Sequence, residues 1–203
     1  MIPALINQDA LLPGDIVHSY SPGFSGRLIR RVIGSRGSHD AIVCQIGDRL
    51  VIGESLFSGG ALTSIETYEE HMLEGRRFVS VLRIPNTTKK DRLAASNWFR
   101  GHAAGMPYDY WAYPRLLAKA VFGDWIPSQA GKEWAWYCTE SCRAAWAIPG
   151  MSANFDVWHK NNPTPRTTEK RLEAGMLIDV SEQCLTLAGL DERLILKGPT
   201  HAA

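Results

Sequence analysis

The sequence predicts an α+β fold in which an antiparallel sheet packs against a helix that carries a cysteine, and three stretches predict it. A β-rich run over His39–Ile46 is followed by Gly47-Asp48 and a return run over residues 49–54, the pattern of a hairpin with a two-residue turn. Residues 78–84 (Phe-Val-Ser-Val-Leu-Arg-Ile) form the clearest strand, and Pro85-Asn86-Thr87-Thr88 both ends it and caps a following helix. Trp136-Tyr137-Cys138 reads as a short buried segment, and Thr139-Glu140-Ser141-Cys142-Arg143 opens a helix that Pro149-Gly150 stops.

The elements follow in chain order. Leu12-Pro13-Gly14-Asp15 is a turn, and Ile16–Tyr20 is a short strand. After the loop 21–26, Leu28, Ile29, Val32 and Ile33 recur at helical spacing and predict an amphipathic helix ending at Gly34. The hairpin comes next, with Gly47 in the position that a type II′ turn prefers. Residues 62–68 extend or cross the sheet, and 68–72 read as a short helix. The helix after Thr88 runs over 89–104, with Trp98, Phe99 and Ala103 on its apolar stripes. A turn at Gly105-Met106-Pro107-Tyr108-Asp109-Tyr110 leads to a second apolar helix over 116–122 and a polar connection over 123–132. Beyond Pro149 the chain is irregular through Asn161-Asn162-Pro163; a helix over 168–174 and a closing strand over 176–180 follow. The chain therefore reads as one domain over residues 1–203, with a helical insertion at about 106–135 and a frayed tail at about 199–203.

The chain is 45% hydrophobic and 21% charged, enough to bury a real core. A net charge of +1 gives no reason to propose a nucleic acid or an acidic membrane as partner, and the local cluster Arg27, Arg30, Arg31, Arg36 reads as a solvated helix face. Four cysteines in a chain of this length are no disulfide scaffold. The first residues lack a basic region followed by a long apolar core, so neither signal peptide nor transmembrane span is expected, and the expected location is cytoplasmic.

Cys138 stands at a helix start, where free N–H groups and the positive end of the helix dipole favour thiolate over thiol. Thr139 is the candidate N-cap. A nucleophilic cysteine needs a base, and the hairpin offers one. A turn at 47–48 pairs Ile46 with Arg49 and Ala41 with Glu54, which makes His39 and Glu54 diagonal neighbours on one face. Glu54 can then hold one imidazole nitrogen and leave the other for a thiol. A loop one residue longer would put the two on opposite faces. From the hairpin alone, a histidine that opens a strand and a glutamate that ends one is the plainer reading.

The remaining candidates carry less. His18 alternates with Ile16 and Tyr20 on a strand and reads as a packing or edge residue, and His102 as a satisfied core histidine. His71, His159 and His201 have no nameable partners. Cys142 lies one turn after Cys138, but two cysteines without a second ligand pair make a poor zinc motif, and no metal or cofactor is expected. Cys44, on the hairpin face opposite His39, reads as core.

Taken together, Pro13-Gly14-Asp15-Ile16-Val17, Ser38-His39-Asp40-Ala41-Ile42-Val43, Gly105-Met106-Pro107-Tyr108-Asp109, Tyr137-Cys138-Thr139-Glu140 and Thr164-Pro165 resemble the permuted papain-like enzymes of the NlpC superfamily, of the YaeF/YiiX type, over about residues 12–180. The resemblance implies a circularly permuted papain-like fold, with histidine before cysteine in the chain. It implies Cys138 as nucleophile, His39 as base and a polar orienting residue on the next strand, the place that Glu54 occupies. Asp40 departs from the pattern, since relatives often carry an apolar residue there; this bears on packing beside the base. Tyr137 and Tyr108 are candidates to line the substrate cleft.

The expected function is that of a cysteine hydrolase, an amidase or peptidase working through an acyl-enzyme on cell-wall peptide or a related amide. The alternatives are a thioesterase, phospholipase or acyltransferase acting on lipid acyl groups, and a non-catalytic binding module. A cleft with a charged anchor would favour peptide, and an apolar trough lined by the tryptophans would favour lipid. The expected partner is a peptide or acyl small molecule; the oligomeric state stays open. A lytic-type fold without a signal peptide also leaves room for a phage-encoded protein or an exported effector.

Overall fold

A computed structural model describes residues 5–111, 114, 137–147 and 164–186. Six strands form one antiparallel sheet in the order β4-β3-β2-β1-β5-β6: β1 (Ile16–Tyr20), β2 (His39–Ile46), β3 (Arg49–Leu56), β4 (Gly59–Ser64), β5 (Phe78–Arg83) and β6 (Ile178–Asp179). The β2–β3 hairpin turns at Gly47-Asp48, with Gly47 at φ 58° as a type II′ turn requires, and pairs Ile46 with Arg49 and Ile42 with Gly53. A second tight turn at Phe57-Ser58 pairs Leu56 with Gly59, so β4 is a full strand where the sequence suggested only an extension.

The helices are α1 (Phe24–Ile33), α2 (Ile65–Leu73), α3 (Lys89–Trp98), α4 (Cys138–Trp146), α5 (Pro165–Glu173) and the single turn α6 (Ser181–Cys184). Local chemistry sets their starts. Ser64 accepts from Thr67 N and caps α2; Thr88 and Asp91 form a capping box for α3; Thr164 and Thr167 form one for α5, with Pro165 in its first turn. The helix expected over 89–104 is α3 continued by a π-helical turn, Phe99–Ala103. The wider turn shifts the helical phase. His102 is consequently exposed rather than core, stacked on the Trp98 ring at 5.2 Å with its Nδ1 3.0 Å from the Trp98 carbonyl oxygen.

Strand alternation divides the core into two layers. Val17, Ala41, Val43, Ile52 and Val81 face α2, α6 and the segment around Leu5 and Leu11. Ile16, Ile42, Cys44 and Leu82 face Phe99, Cys142, Trp146 and Leu172 on α3, its π turn, α4 and α5. Cys44 is buried in this second layer, as its parity in the hairpin requires. Helix α1 belongs to neither layer; its one buried residue is Gly26. The insertion expected at about 106–135 falls largely on residues outside the described ones, as do the 116–122 helix and the tail at 199–203. No helix among the described residues is long and apolar enough to cross a membrane.

Candidate active site

Cys138 is the first residue of α4, preceded by Tyr137 in an extended conformation (φ −102°, ψ 167°). The helix thus begins two residues earlier than a Thr139 cap would have it, with Tyr137 in the cap position. Thr139 is not free to cap, because its Oγ1 donates to Asp40 Oδ2 on β2 at 2.7 Å. Two further tethers hold α4. Ser55 Oγ on β3 donates to Ser141 Oγ at 3.1 Å, and Ser141 Oγ donates to the Cys138 carbonyl at 2.8 Å. At the far end of the helix, buried Trp146 donates Nε1–H to the Gly14 carbonyl at 3.0 Å. Gly14 has φ +87°, and a Cβ there would lie 2.5 Å from the Trp146 ring. Asp15, next to it, takes a two-pronged ion pair from Arg83 at 2.7 and 2.8 Å. The turn 12–15 therefore docks the cysteine helix at one end and is locked to β5 at the other.

His39 opens β2, and its Nε2 lies 3.1 Å from Glu54 Oε2. This is the diagonal that the hairpin register sets. Glu54 is buried and takes three further donors: Tyr68 Oη at 2.9 Å, Arg77 Nη1 at 2.8 Å and Thr63 Oγ1 at 2.6 Å. These partners come from α2, the segment before β5, and β4. The sequence pointed to none of them, although Gly59-Gly60 after Ser58 was the signal for the hairpin that brings Thr63 beside Glu54.

The electrostatics couple the three residues. Burial pushes the Cys138 thiol up, but hydrogen bonding and charge from His39 outweigh it, helped by the Asp40 backbone N–H, and hold the thiol below its ordinary value. For His39, burial disfavours the cation; the Cys138 sulfur and then Glu54 overcome this and raise its pKa to about 9. Burial would raise the Glu54 carboxyl, yet His39, Arg77 and Thr63 hold it below the usual carboxylate range. The arrangement favours thiolate, imidazolium and carboxylate in a row. Cys142, one turn on, lacks such a partner: burial drives its thiol well above the ordinary range.

A second histidine lies behind this row. β1 sits between β2 and β5, so His18 is no edge residue; it is wholly buried. Its Nδ1 is 2.7 Å from Asp40 Oδ1, and its Nε2 is 3.4 Å from Glu169 Oε1. Burial disfavours the His18 cation, but hydrogen bonds and charge from Asp40 and Glu169 raise its pKa to about 9. Asp40 Oδ2 also accepts from Thr168 Oγ1 at 2.9 Å, while Glu169 Oε1 accepts from Ser35 Oγ, Arg36 N and Gly37 N. Asp40 is thus the junction of β1, β2, α4 and α5.

Beside Cys138 lies a cavity of about 450 Å³, and its lining is almost wholly apolar. Leu28, Ile29, Val32 and Ile33 of α1 line it, with Phe57, Tyr108, Pro114 and Tyr137. Tyr108 and Tyr137 are buried and pack together there, alongside the cysteine. Among the described residues that line it there is no tryptophan.

One solved structure, the metalloprotein yiiX from Escherichia coli O157:H7, superposes with a TM-score of 0.50 at 16% sequence identity, over 66% of this chain and 64% of that one. The fold is similar to that of yiiX. The match spans less than two thirds of the length of yiiX, and identity at this level speaks to fold alone. No family model matches the chain, and no curated protein does.

Proposed function

We propose that the protein is a cysteine hydrolase that works through an acyl-enzyme, and that the acyl group it accepts is apolar. One observation carries this reading: a thiol held below its ordinary pKa by a carboxylate-braced imidazole stands on the wall of an apolar cavity. In the reaction the Cys138 thiolate attacks the carbonyl carbon of an ester, thioester or amide. The backbone N–H groups at the start of α4 stabilise the developing oxyanion. As the tetrahedral intermediate collapses, the imidazolium of His39 gives its proton to the leaving oxygen, sulfur or nitrogen. His39, neutral again, takes a proton from water, whose oxygen attacks the thioester; collapse releases the carboxylic acid and the Cys138 thiolate, which restores the thiolate–imidazolium pair. Glu54 keeps the ring oriented and stabilises its charged form.

The cavity bears on the substrate. None of the described residues that line it is charged, so none of them supplies the anchor that a peptide terminus calls for. That favours an acyl chain over cell-wall peptide. The name of yiiX describes that protein as a metalloprotein. Here, no group of three or more His, Cys, Asp or Glu side chains among the described residues is placed to hold a metal ion.

The test is a series of p-nitrophenyl esters from acetate to decanoate, assayed on wild type and Cys138→Ala, with mass spectrometry of the quenched enzyme. An acyl adduct on Cys138 is expected. So is a kcat/KM that rises with chain length by up to about fourfold per methylene, the equivalent of ~0.8 kcal/mol. Hydrolysis that survives in Cys138→Ala would sink the reading, and a rate independent of chain length would return the substrate to the peptide class.

A further inference from the structure

The mouth of the cavity has a character of its own. On α1, Phe24 is 76% exposed and Leu28 50%; on the β3–β4 turn and the loop after Tyr108, Phe57 is 53% exposed, Tyr110 58% and Trp111 67%. Leu28 and Phe57 also line the cavity, so they stand where it opens, and Phe57 packs on Tyr108 and Tyr110. Large apolar side chains are rarely gathered like this on a surface that meets only water.

The charges on α1 and the loops that flank it are of one sign. From residue 21 to residue 38 the chain holds four arginines and no acidic residue. Arg30 is engaged over the Tyr20 ring at 4.4 Å, while Arg27 and Arg31 are exposed. At 100° per residue, Phe24, Leu28 and Val32 fall on one half of α1, and Arg27, Arg30 and Arg31 on the other. A solvated helix face accounts for the arginines, and the cavity for Ile29, Val32 and Ile33, but neither accounts for the exposed Phe24 and the exposed half of Leu28. An amphipathic helix with Phe and Leu on one side and arginines on its flank is suited to lie in a membrane interface, and exposed Trp and Tyr are suited to the same depth.

We propose that this face docks the protein on the surface of a bilayer that contains anionic lipid. Phe24, Leu28 and Trp111 enter the headgroup boundary, Arg27 and Arg31 meet the phosphates, and the cavity that leads to Cys138 opens toward the lipid. This deepens the reading given above, because an apolar acyl substrate resides in such a bilayer, but binding can be measured without turnover.

The experiment uses the full chain as Cys138→Ala and sediments it with vesicles of phosphatidylcholine alone or with one-third phosphatidylserine. Binding is expected to the anionic vesicles and to fall as salt is raised. Arg27→Gln and Arg31→Gln should each weaken it by about fivefold. Phe24→Ser with Trp111→Ser should weaken it by more than about tenfold. In the wild-type background that double variant should hydrolyse a soluble short-chain ester at the wild-type rate. Failure to sediment with anionic vesicles, or sedimentation indifferent to these substitutions, overturns the proposal. So does a result in which the substitutions alter self-association and leave vesicle binding unchanged, since the face would then be an interface between copies. Failure of wild type to hydrolyse the soluble ester would count against the hydrolase reading alone.

Discussion

Asp40 and Thr139 are joined by a 2.7 Å hydrogen bond that ties the strand of His39 to the helix of Cys138, each partner being the immediate chain neighbour of one member of the proposed catalytic pair. Spacing between thiol and imidazole is thereby set by a buried bond outside the reacting row. Thr139→Val keeps the shape and removes the hydroxyl. It should cost about 1.5–3 kcal/mol, the range for a hydrogen bond to a charged group. Urea unfolding measures the loss, and iodoacetamide labelling of Cys138 should slow in the folded variant.

The thiol–imidazole pair predicts the pH profile. The thiolate forms with a pKa below that of a free cysteine, and His39 loses its proton near pH 9. Hydrolysis should therefore rise through the thiol pKa and fall as pH passes about 9. In His39→Ala the thiol loses the group that holds it down while burial remains. Its alkylation should then titrate at higher pH than in wild type. Glu54→Gln should move the falling limb toward lower pH, because His39 loses the carboxylate that favours its cation. A pH profile of kcat/KM on wild type and Glu54→Gln, and of iodoacetamide alkylation on wild type and His39→Ala, checks all of this.

His18 predicts a second pH dependence, in stability rather than activity. Its folded pKa, about 9, lies above the ordinary value of 6.5, so its contribution is complete below pH 6.5 and lost as pH rises through 9. Glu169 has the opposite sign: its folded pKa is about 2 against 4.5, so its contribution is present above 4.5 and lost as pH falls through 2. Wild type should be most stable between pH 4.5 and 6.5 as far as this pair is concerned. The decline from 6.5 to 9 should be shallower in His18→Gln, in chemical-denaturation midpoints taken at each pH.

Gly14→Ala should be strongly destabilising. The left-handed backbone at φ +87° costs a side chain about 1–3 kcal/mol. The added Cβ, 2.5 Å from the Trp146 ring, also forces that ring off the carbonyl it donates to. Since Trp146 ends the helix that Cys138 begins, thermal melting should fall and alkylation of the thiol should lose its dependence on His39.

Much of this architecture was legible in the chain because it rests on local rules. Gly47-Asp48 allows one hairpin register, and that register alone puts His39 and Glu54 on a diagonal. The placing of Cys138 at a helix start follows from the same kind of rule. The α+β class, the strand 78–84 and the helix starting after Thr88 are local as well. Tertiary structure decided what depends on residues far apart. Thr63, Tyr68 and Arg77 converge on Glu54 from three elements, and no periodicity names a carboxylate's donors before the strands are paired. His18 and Asp40 looked like a packing residue and a departure from pattern. They form a buried ion cluster because β1 lies in the middle of the sheet, a position fixed by pairing across 22 residues to Asp40 and by the docking of α5, which brings Glu169 to the other side of the ring. The apolar cavity is of the same kind: it exists only where α1, the β3–β4 turn and the start of α4 meet, and no one of those segments carries it alone.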